Sequence, residues 1–329
     1  MPVTQILPPA AQSAVENSSE STLASGGQTL PLPRKKSGPT RPWACSTLHL
    51  ELTNHCNLAC SICPHRIMQR KRGVMDTTLA LSLLDAARGR CREVDLSFFG
   101  EPLLHPQLST ILSSCKRRDY RLTMSTNATM LGPEIRHLIA DVHLDMLHIG
   151  LDSVFPETYR KIRGHADHAT VMSNTRNFLK LTDRGPVCVV LVSMSLNHSE
   201  HRAFCDHWKP YLRPGDEILI TNFCSWHGAI RDLDEKPSRI CPMWNGQVVV
   251  GWDGTVSACS LDFEQELAVG TISDLNVFQL DQSRRYRQLW NDYLDSRLEA
   301  CRHCFDKHRA IVRHTCQDQA AISVAGETP

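Results

Sequence analysis

The stretch that most constrains this chain is Cys56-Asn57-Leu58-Ala59-Cys60-Ser61-Ile62-Cys63. Three thiols fall within eight residues, with three and then two residues between them. The run before them, 47–52, alternates apolar and polar side chains as a half-buried strand does. The cysteines therefore sit on the loop leaving a strand's carboxyl end, where α/β folds place their chemistry. Three thiolates this close can hold one face of a metal cluster. They are one ligand short of the four that an electron-transfer iron–sulfur cluster takes, which leaves one iron open. A zinc knuckle or a disulfide pair is the plainer possibility. Zinc sites usually close four ligands, commonly in CxxC-type pairs, and three thiols make a poor disulfide set.

The rest of the chain narrows the setting. Its 329 residues suffice for one large α/β domain and a smaller one, and 41% hydrophobic residues is ordinary for a chain that buries a core. A formal charge of +1 gives no electrostatic case for nucleic-acid or anionic-membrane binding. No apolar run approaches the roughly 20 residues of a membrane helix, and no secretion signal opens the chain. Fourteen cysteines in clusters, without such a signal, point to a reducing cytoplasm and to metal ligation.

Residues 1–43 are rich in Pro, Ser, Thr, Ala and Gly and read as a disordered tail. Its basic Arg34-Lys35-Lys36 reads as a solvated patch. From 44 to 222 strands and helices alternate. Strands are expected at 48–52, 93–98, 121–125, 146–151, 188–193 and 217–221, and helices at 77–87, 107–117, 133–140, 169–181 and 200–208. Leu79, Leu83 and Ala86 share one helical face behind Asp76, a good N-cap. The alternation argues for parallel strands with right-handed crossovers. Six units suit a partial barrel, so the expected fold class is α/β: a six-stranded parallel (β/α) barrel with a small C-terminal unit of β-hairpin plus helix.

The Cys56-x3-Cys60-x2-Cys63 spacing resembles the signature of the radical S-adenosylmethionine (SAM) enzymes. In that family the trio holds a 4Fe–4S cluster whose open iron is chelated by SAM. An electron from the cluster cleaves SAM to a 5′-deoxyadenosyl radical, which abstracts a substrate hydrogen atom. The family's core is an open six-stranded β/α barrel. Strand ends extend the resemblance. Phe98-Phe99-Gly100-Glu101-Pro102 is similar to the family's Gly-Gly-Glu-Pro motif, with Phe99 in place of the first glycine. The resemblance places Gly100, Glu101 and Pro102 near the SAM amino group, and Ser125 and Asn127 near its carboxylate and ribose. It sets Asp152 and Ser153 in a Ser-Leu-Asp-Gly-like passage, with Arg163 near the methionine carboxylate. Each polar strand end, taken singly, could just as well cap the next helix. The basic loop His65–Gly73 reads equally as a clamp on an anionic ligand or as a solvated loop.

After Thr221 the rhythm changes. Cys241 precedes an Asp253-Gly254 hairpin signal, Cys259 closes the hairpin, and Cys301-x2-Cys304 follows a helical stretch at 284–298. Four thiols make a closed shell for zinc or for a cluster. Cys241-x12-Gly254-x4-Cys259 followed by CxxC resembles the SPASM or twitch extension of radical SAM enzymes. The resemblance implies an auxiliary 4Fe–4S cluster on Cys241, Cys259, Cys301 and Cys304. Ala310 and His314 stand where further ligands would follow, which favours the one-cluster twitch form. The 17-residue gap is similar to that of the butirosin-pathway aminocyclitol dehydrogenase group. The expected extents are 223–310 for this unit and 311–329 for a C-terminal tail. Of the seven other cysteines, Cys45, Cys91, Cys115, Cys188, Cys205, Cys224 and Cys316, most read as small core residues. Cys224, just past the last strand, could return a hydrogen atom to a substrate radical.

The resemblance implies a radical oxidation of a small molecule such as a sugar or aminocyclitol, the auxiliary cluster taking the second electron. A reductant such as flavodoxin or ferredoxin would be the partner. Epimerisation and peptide modification are the enzymatic alternatives, and a zinc-binding interaction module is the non-enzymatic one. Residues suggest no clear base; His65 and Arg160 are the candidates.

Overall fold

A computed structural model describes residues 45–164, 167–232, 246–302, 304 and 311–315. Cys241, Cys316 and the expected tail at 1–43 lie outside the described residues. Strands and helices alternate in the order β1 (Thr47–Leu50), α1 (Thr77–Ala87), β2 (Glu93–Asp95), α2 (Leu108–Arg117), β3 (Arg121–Thr126), α3 (Pro133–Val142), β4 (Met146–Gly150), α4 (Pro156–Arg163), α5 (His168–Leu179), β5 (Val187–Ser193), α6 (His201–Trp208) and β6 (Glu217–Asn222). The six strands pair in chain order and all run parallel. All six expected strands and all five expected helices are present, which gives the partial barrel core.

Local chemistry explains the elements. Asp76 caps α1 by accepting from the Thr78 and Leu79 amides, a contact worth about 1 kcal/mol. Leu48, Leu50, Val94, Leu96, Leu122, Met124, Leu147 and Ile149 are buried in one core with Leu84, Ile111 and Leu112 of the helices. The alternate residues His49, Asp95, Ser97, Ser125 and His148 are only half-buried and occupy the opposite, inner face. Helix α4 was not foreseen. Pro156 sits at its first turn, where a missing amide costs nothing, and Gly164 ends it at φ +79°. The sequence there had read only as a motif passage.

The C-terminal part joins the same sheet. β7 (Gln247–Val250) pairs parallel with β1, from Thr47↔Gln247 to Leu50↔Val250. β8 (Thr255–Ser257) and β9 (Ala268–Thr271) extend it antiparallel, and α7 (Arg284–Leu294) and α8 (Glu299–Arg302) follow. At the far edge β10 (Ile311–Thr315) pairs antiparallel with β6. Residues 311–315, placed in a tail from sequence, are therefore a tenth strand. Cys45 and Cys91 are buried in the core as expected, and they are also disulfide-bonded, with Cα atoms 5.0 Å apart, a pairing the sequence reading did not foresee. They lie just before β1 and β2, at the end of the barrel away from the cysteine trio. Cys115, Cys188 and Cys205 are buried as expected. No helix among the described residues is long and apolar enough to cross a membrane.

Candidate active site

The chain leaves β1 through Glu51-Leu52-Thr53-Asn54, all buried, before the cysteine loop opens. Asn54 anchors that loop: its side chain donates to the Lys71 carbonyl at 2.8 Å and accepts from the Gly73 amide at 2.8 Å. His65 contacts the Asn54 carbonyl through Nε2 at 3.0 Å, and Arg72 donates to the His65 carbonyl at 2.7 Å. Burial, with Arg72 nearby, holds the His65 imidazole below its ordinary range. The loop is also tied to α4, since the Ser61 amide donates to the Ile162 carbonyl at 2.7 Å.

Cys60 is buried, and Cys56 and Cys63 are half-buried. Burial pushes the Cys56 thiol up to about 11 and Cys63 up to about 12, and it raises Cys60 as well. Such thiols ionise only with a cationic partner. Amides two residues on already face two of the sulfurs, Leu58 toward Cys56 and His65 toward Cys63. The Leu261 amide does the same for Cys259 at 3.4 Å. Sulfurs met by amide donors suit an anionic iron–sulfur cluster; Cys56, Cys63 and Cys259 have that chemistry, while Cys241 lies outside the described residues.

Two polar constellations flank the trio. On one side the Gly100 backbone closes onto the loop: a Cβ there would lie 2.0 Å from the Thr53 carbonyl oxygen. Only glycine permits that approach, and the Glu101 amide donates to the His55 carbonyl at 2.9 Å. The Glu101 side chain turns inward, accepting from Thr126 Oγ1 at 2.8 Å, the Asn127 amide at 2.9 Å and the Leu103 amide at 3.2 Å. Burial outweighs these contacts and pushes the carboxyl up to about 7. Pro102 opens the turn that follows and is buried. Asn127 Nδ2 donates to Asn57 at 3.0 Å and lies 3.9 Å from Cys56 Sγ. Ser125 accepts from Ser97 at 2.9 Å.

On the other side Asp152, fully buried and at φ +64°, sits against Arg163, with Nε 2.6 Å from Oδ2. Burial works against the charge of Arg163, but the carboxylate outweighs it and holds the guanidinium above its ordinary range. Arg163 Nη1 lies 3.9 Å from Cys60 Sγ. Its Nη2 occupies the space a Cβ on Gly150 would need, only 2.6 Å away. Ser153 instead donates to Glu200 at 2.5 Å. The structure thus gathers Glu101, Asn127, Asp152 and Arg163 around the trio and ties Gly100 to its approach.

Arg66 and Lys71 of the basic loop are exposed, as a solvated loop would have them, but Arg70 departs from both expectations. Arg70 binds Glu51 through both Nη atoms, at 3.0 and 2.7 Å, and donates from Nε to the Phe263 carbonyl at 2.6 Å. Glu264 accepts from the Gln69 and Arg70 amides at 2.7 and 3.1 Å. Arg70 is a buried tie between β1 and the C-terminal part, neither substrate clamp nor solvated residue. Burial still raises the Glu51 carboxyl despite its partner. Phe99, the departure from the glycine motif, is buried beneath Arg70 and packs on Trp226 at 5.5 Å and Phe263 at 6.3 Å. Nothing in local sequence pointed to Glu264 or Phe263, nearly 200 residues from Arg70; the polar position of Glu51 on a strand was the one usable signal.

Of the rear set, Cys259 and Cys304 are buried and Cys301 half-buried. His227 Nε2 lies 3.6 Å from Cys259 Sγ. Cys224 is buried just past β6.

A radical SAM superfamily domain matches residues 50–206, the stretch that builds most of this barrel, and the chain is an enzyme. An iron–sulfur cluster-binding SPASM domain matches residues 241–305, so the chain carries both domains. These domains imply 4Fe–4S clusters and SAM binding. The tungsten-containing aldehyde ferredoxin oxidoreductase cofactor-modifying protein of Pyrococcus furiosus is 33% identical over 108 residues, 32% of this chain and 30% of that protein. This chain therefore spans under a third of that relative's length. The S-adenosyl-L-methionine-dependent 2-deoxy-scyllo-inosamine dehydrogenase of Niallia circulans is 20% identical over 271 residues, 79% of this chain and 92% of that protein. Among solved structures, BtrN in complex with AdoMet and 2-DOIA superposes with a TM-score of 0.59 at 18% identity, over 80% of this chain and 94% of that one. Streptococcus suis SuiB bound to precursor peptide SuiA gives 0.62 at 10% identity, over 75% and 66%.

Proposed function

We propose that this enzyme dehydrogenates a small hydroxylated molecule such as a sugar or aminocyclitol. The observation that carries the reading is coextension: the 2-deoxy-scyllo-inosamine dehydrogenase aligns through barrel and rear unit together, over 92% of its length. The inner barrel face agrees with it. His49, Asp95, Ser97, Ser125 and His148 form a hydroxyl- and imidazole-lined wall, with His49 Nδ1 3.5 Å from Asp95. An apolar or lipid substrate would find few partners there.

Cys56, Cys60 and Cys63 would hold the SAM-binding cluster, and Cys241, Cys259, Cys301 and Cys304 the auxiliary one. When bound, SAM and its cluster supply a radical that removes a substrate hydrogen atom, and the auxiliary cluster supplies an electron sink. The chain's own residues orient and enclose. Arg163, steadied by Asp152, presents Nη1 and Nη2 on the Cys60 side, where a carboxylate of the bound cofactor would meet them. Glu101 would offer its buried carboxylate to a cationic amine, which would return its titration toward the usual range. Asn127 and Asn57 fix the Cys56 edge.

The test is anaerobic reconstitution followed by iron counting and turnover with a strong reductant. The probes are 2-deoxy-scyllo-inosamine and a panel of cyclitols. The expected result is roughly eight irons per chain, falling to about four in the Cys56/Cys60/Cys63→Ala variant. Wild type should yield 5′-deoxyadenosine and ketone in equal amounts, and the variant neither. Cyclitols that leave deoxyadenosine formation unchanged would remove the substrate reading.

A second reading, inversion of a stereocentre, draws on Cys224, buried just beyond β6. Cys224→Ala would then stop product while deoxyadenosine continued; normal turnover in that variant eliminates it.

A further inference from the structure

Past β6 the backbone makes two successive left-handed residues, Trp226 at φ +51° and His227 at φ +59°. Bulky side chains rarely adopt that region, so contacts must hold these two there. They contact different loops. Trp226 Nε1 donates to the Ile62 carbonyl at 2.7 Å, one residue from Cys63. His227 Nε2 lies 3.6 Å from Cys259 Sγ. The Trp226 ring also packs on Phe99, which packs on Phe263 four residues past Cys259. One dipeptide thereby touches the loop of the front trio and a candidate ligand of the rear set. Phe99, where the family motif has glycine, supplies the surface beneath it.

We infer that Trp226-His227 is a spacer between the two cysteine sites, and that His227 is a positioning residue that sets the rear cluster's reduction potential through the Cys259 sulfur. The inference rests on reading Cys259 as a cluster ligand. A cluster-bound thiolate carries no proton and can only accept. The imidazole must therefore donate its Nε2 proton, joining the Leu261 amide at 3.4 Å on the same sulfur. Donors to a cluster sulfur stabilise the more negative, reduced form and raise the potential. A raised potential suits a cluster that takes an electron from substrate. Fixing Trp226 to the Ile62 carbonyl keeps the imidazole aimed, so the front loop's position bears on the rear donor.

The experiment uses the full chain carrying Cys56/Cys60/Cys63→Ala, which leaves the rear cluster alone, and reads its midpoint potential by an EPR-monitored redox titration. His227→Ala should weaken reduction about tenfold, a shift of about 59 mV to the negative for one electron. His227→Asn, which keeps an N–H donor, should recover part of the shift, and Trp226→Phe should give a smaller shift of the same sign. A four-iron cluster at unchanged potential in His227→Ala overturns the proposal. Loss of iron in that variant also overturns it, because the imidazole would then be a ligand. If alanine prevents folding, His227→Asn against His227→Leu reads the same difference. A parent variant that holds no iron at all sinks the underlying reading of the rear cysteines, an outcome distinct from an unmoved potential.

Discussion

Two buried arginine–aspartate pairs sit at opposite ends of the same barrel and use their charge differently. Below the strands, Arg184 meets Asp216 with both Nη atoms at 2.7 Å, and the two side chains are completely buried. The same Nη atoms also donate to the Gly185 and Leu179 carbonyls, and Asp216 receives the Val187 and Arg213 amides. Every strong contact there is internal. At the upper end Arg163 approaches Asp152 through Nε, and its Nη atoms turn toward Cys60 and Gly150. One arginine is consumed by the fold; the other is braced by it and presented to the site. A guanidinium's fork lets it do either, where a lysine could do only one at a time.

Mutations at the two pairs should separate these roles. The largest effect belongs to Arg184→Ala, which strands a buried carboxylate and should cost about 3–5 kcal/mol. Chemical denaturation reads that loss, and SAM affinity of the folded fraction should be unchanged. Weaker SAM binding there would end the contrast. Arg163→Ala should reduce SAM affinity roughly 10- to 150-fold, the worth of a charge-assisted contact of about 1.5–3 kcal/mol; equilibrium dialysis of the reconstituted enzyme measures it. A full-strength SAM site in that variant would make the upper pair structural too. Gly150→Ala is the finer probe. The added methyl meets Nη2, the far end of the Arg163 side chain, at 2.6 Å, so stability should move little while SAM affinity drops about tenfold.

Glu101 gives a separate, pH-dependent prediction. Its carboxyl is raised from the ordinary 4.5 to about 7 by burial, so the folded cofactor-free protein holds a proton that the unfolded chain has lost. Stability from this group is complete below about 4.5, falls as pH rises toward 7 and is level above it, a swing of about 3 kcal/mol. Denaturation midpoints from pH 5 to 8 should show the slope, and Glu101→Gln should flatten it. An equal slope in both proteins would assign it elsewhere.

Much of the barrel was legible because each strand–helix unit is coded locally. Asp76 before an apolar stripe, or a β-branched run such as 187–192, reads without knowing its neighbours. Around the trio, Glu101, Asn127, Asp152 and Arg163 were readable because each follows directly from a strand end or motif. Long-range pairing was not. Arg70 looks like any cation in a basic loop until Phe263 and Glu264 are brought to it. The parallel match of β7 to β1 joins residues 200 apart, and four residues of apolar sequence cannot announce their partner. The Cys45–Cys91 bond was equally silent, since neither cysteine has a motif around it.

That late pairing has a consequence for how the enzyme can be dissected. β7 covers the outer side of β1, and β10 covers β6, so each flank of the six-stranded core is sealed by chain that follows it in sequence. Trimming at residue 222 would not liberate a minimal catalytic barrel. It would bare two ladders of unsatisfied amides and carbonyls, an invitation to self-association.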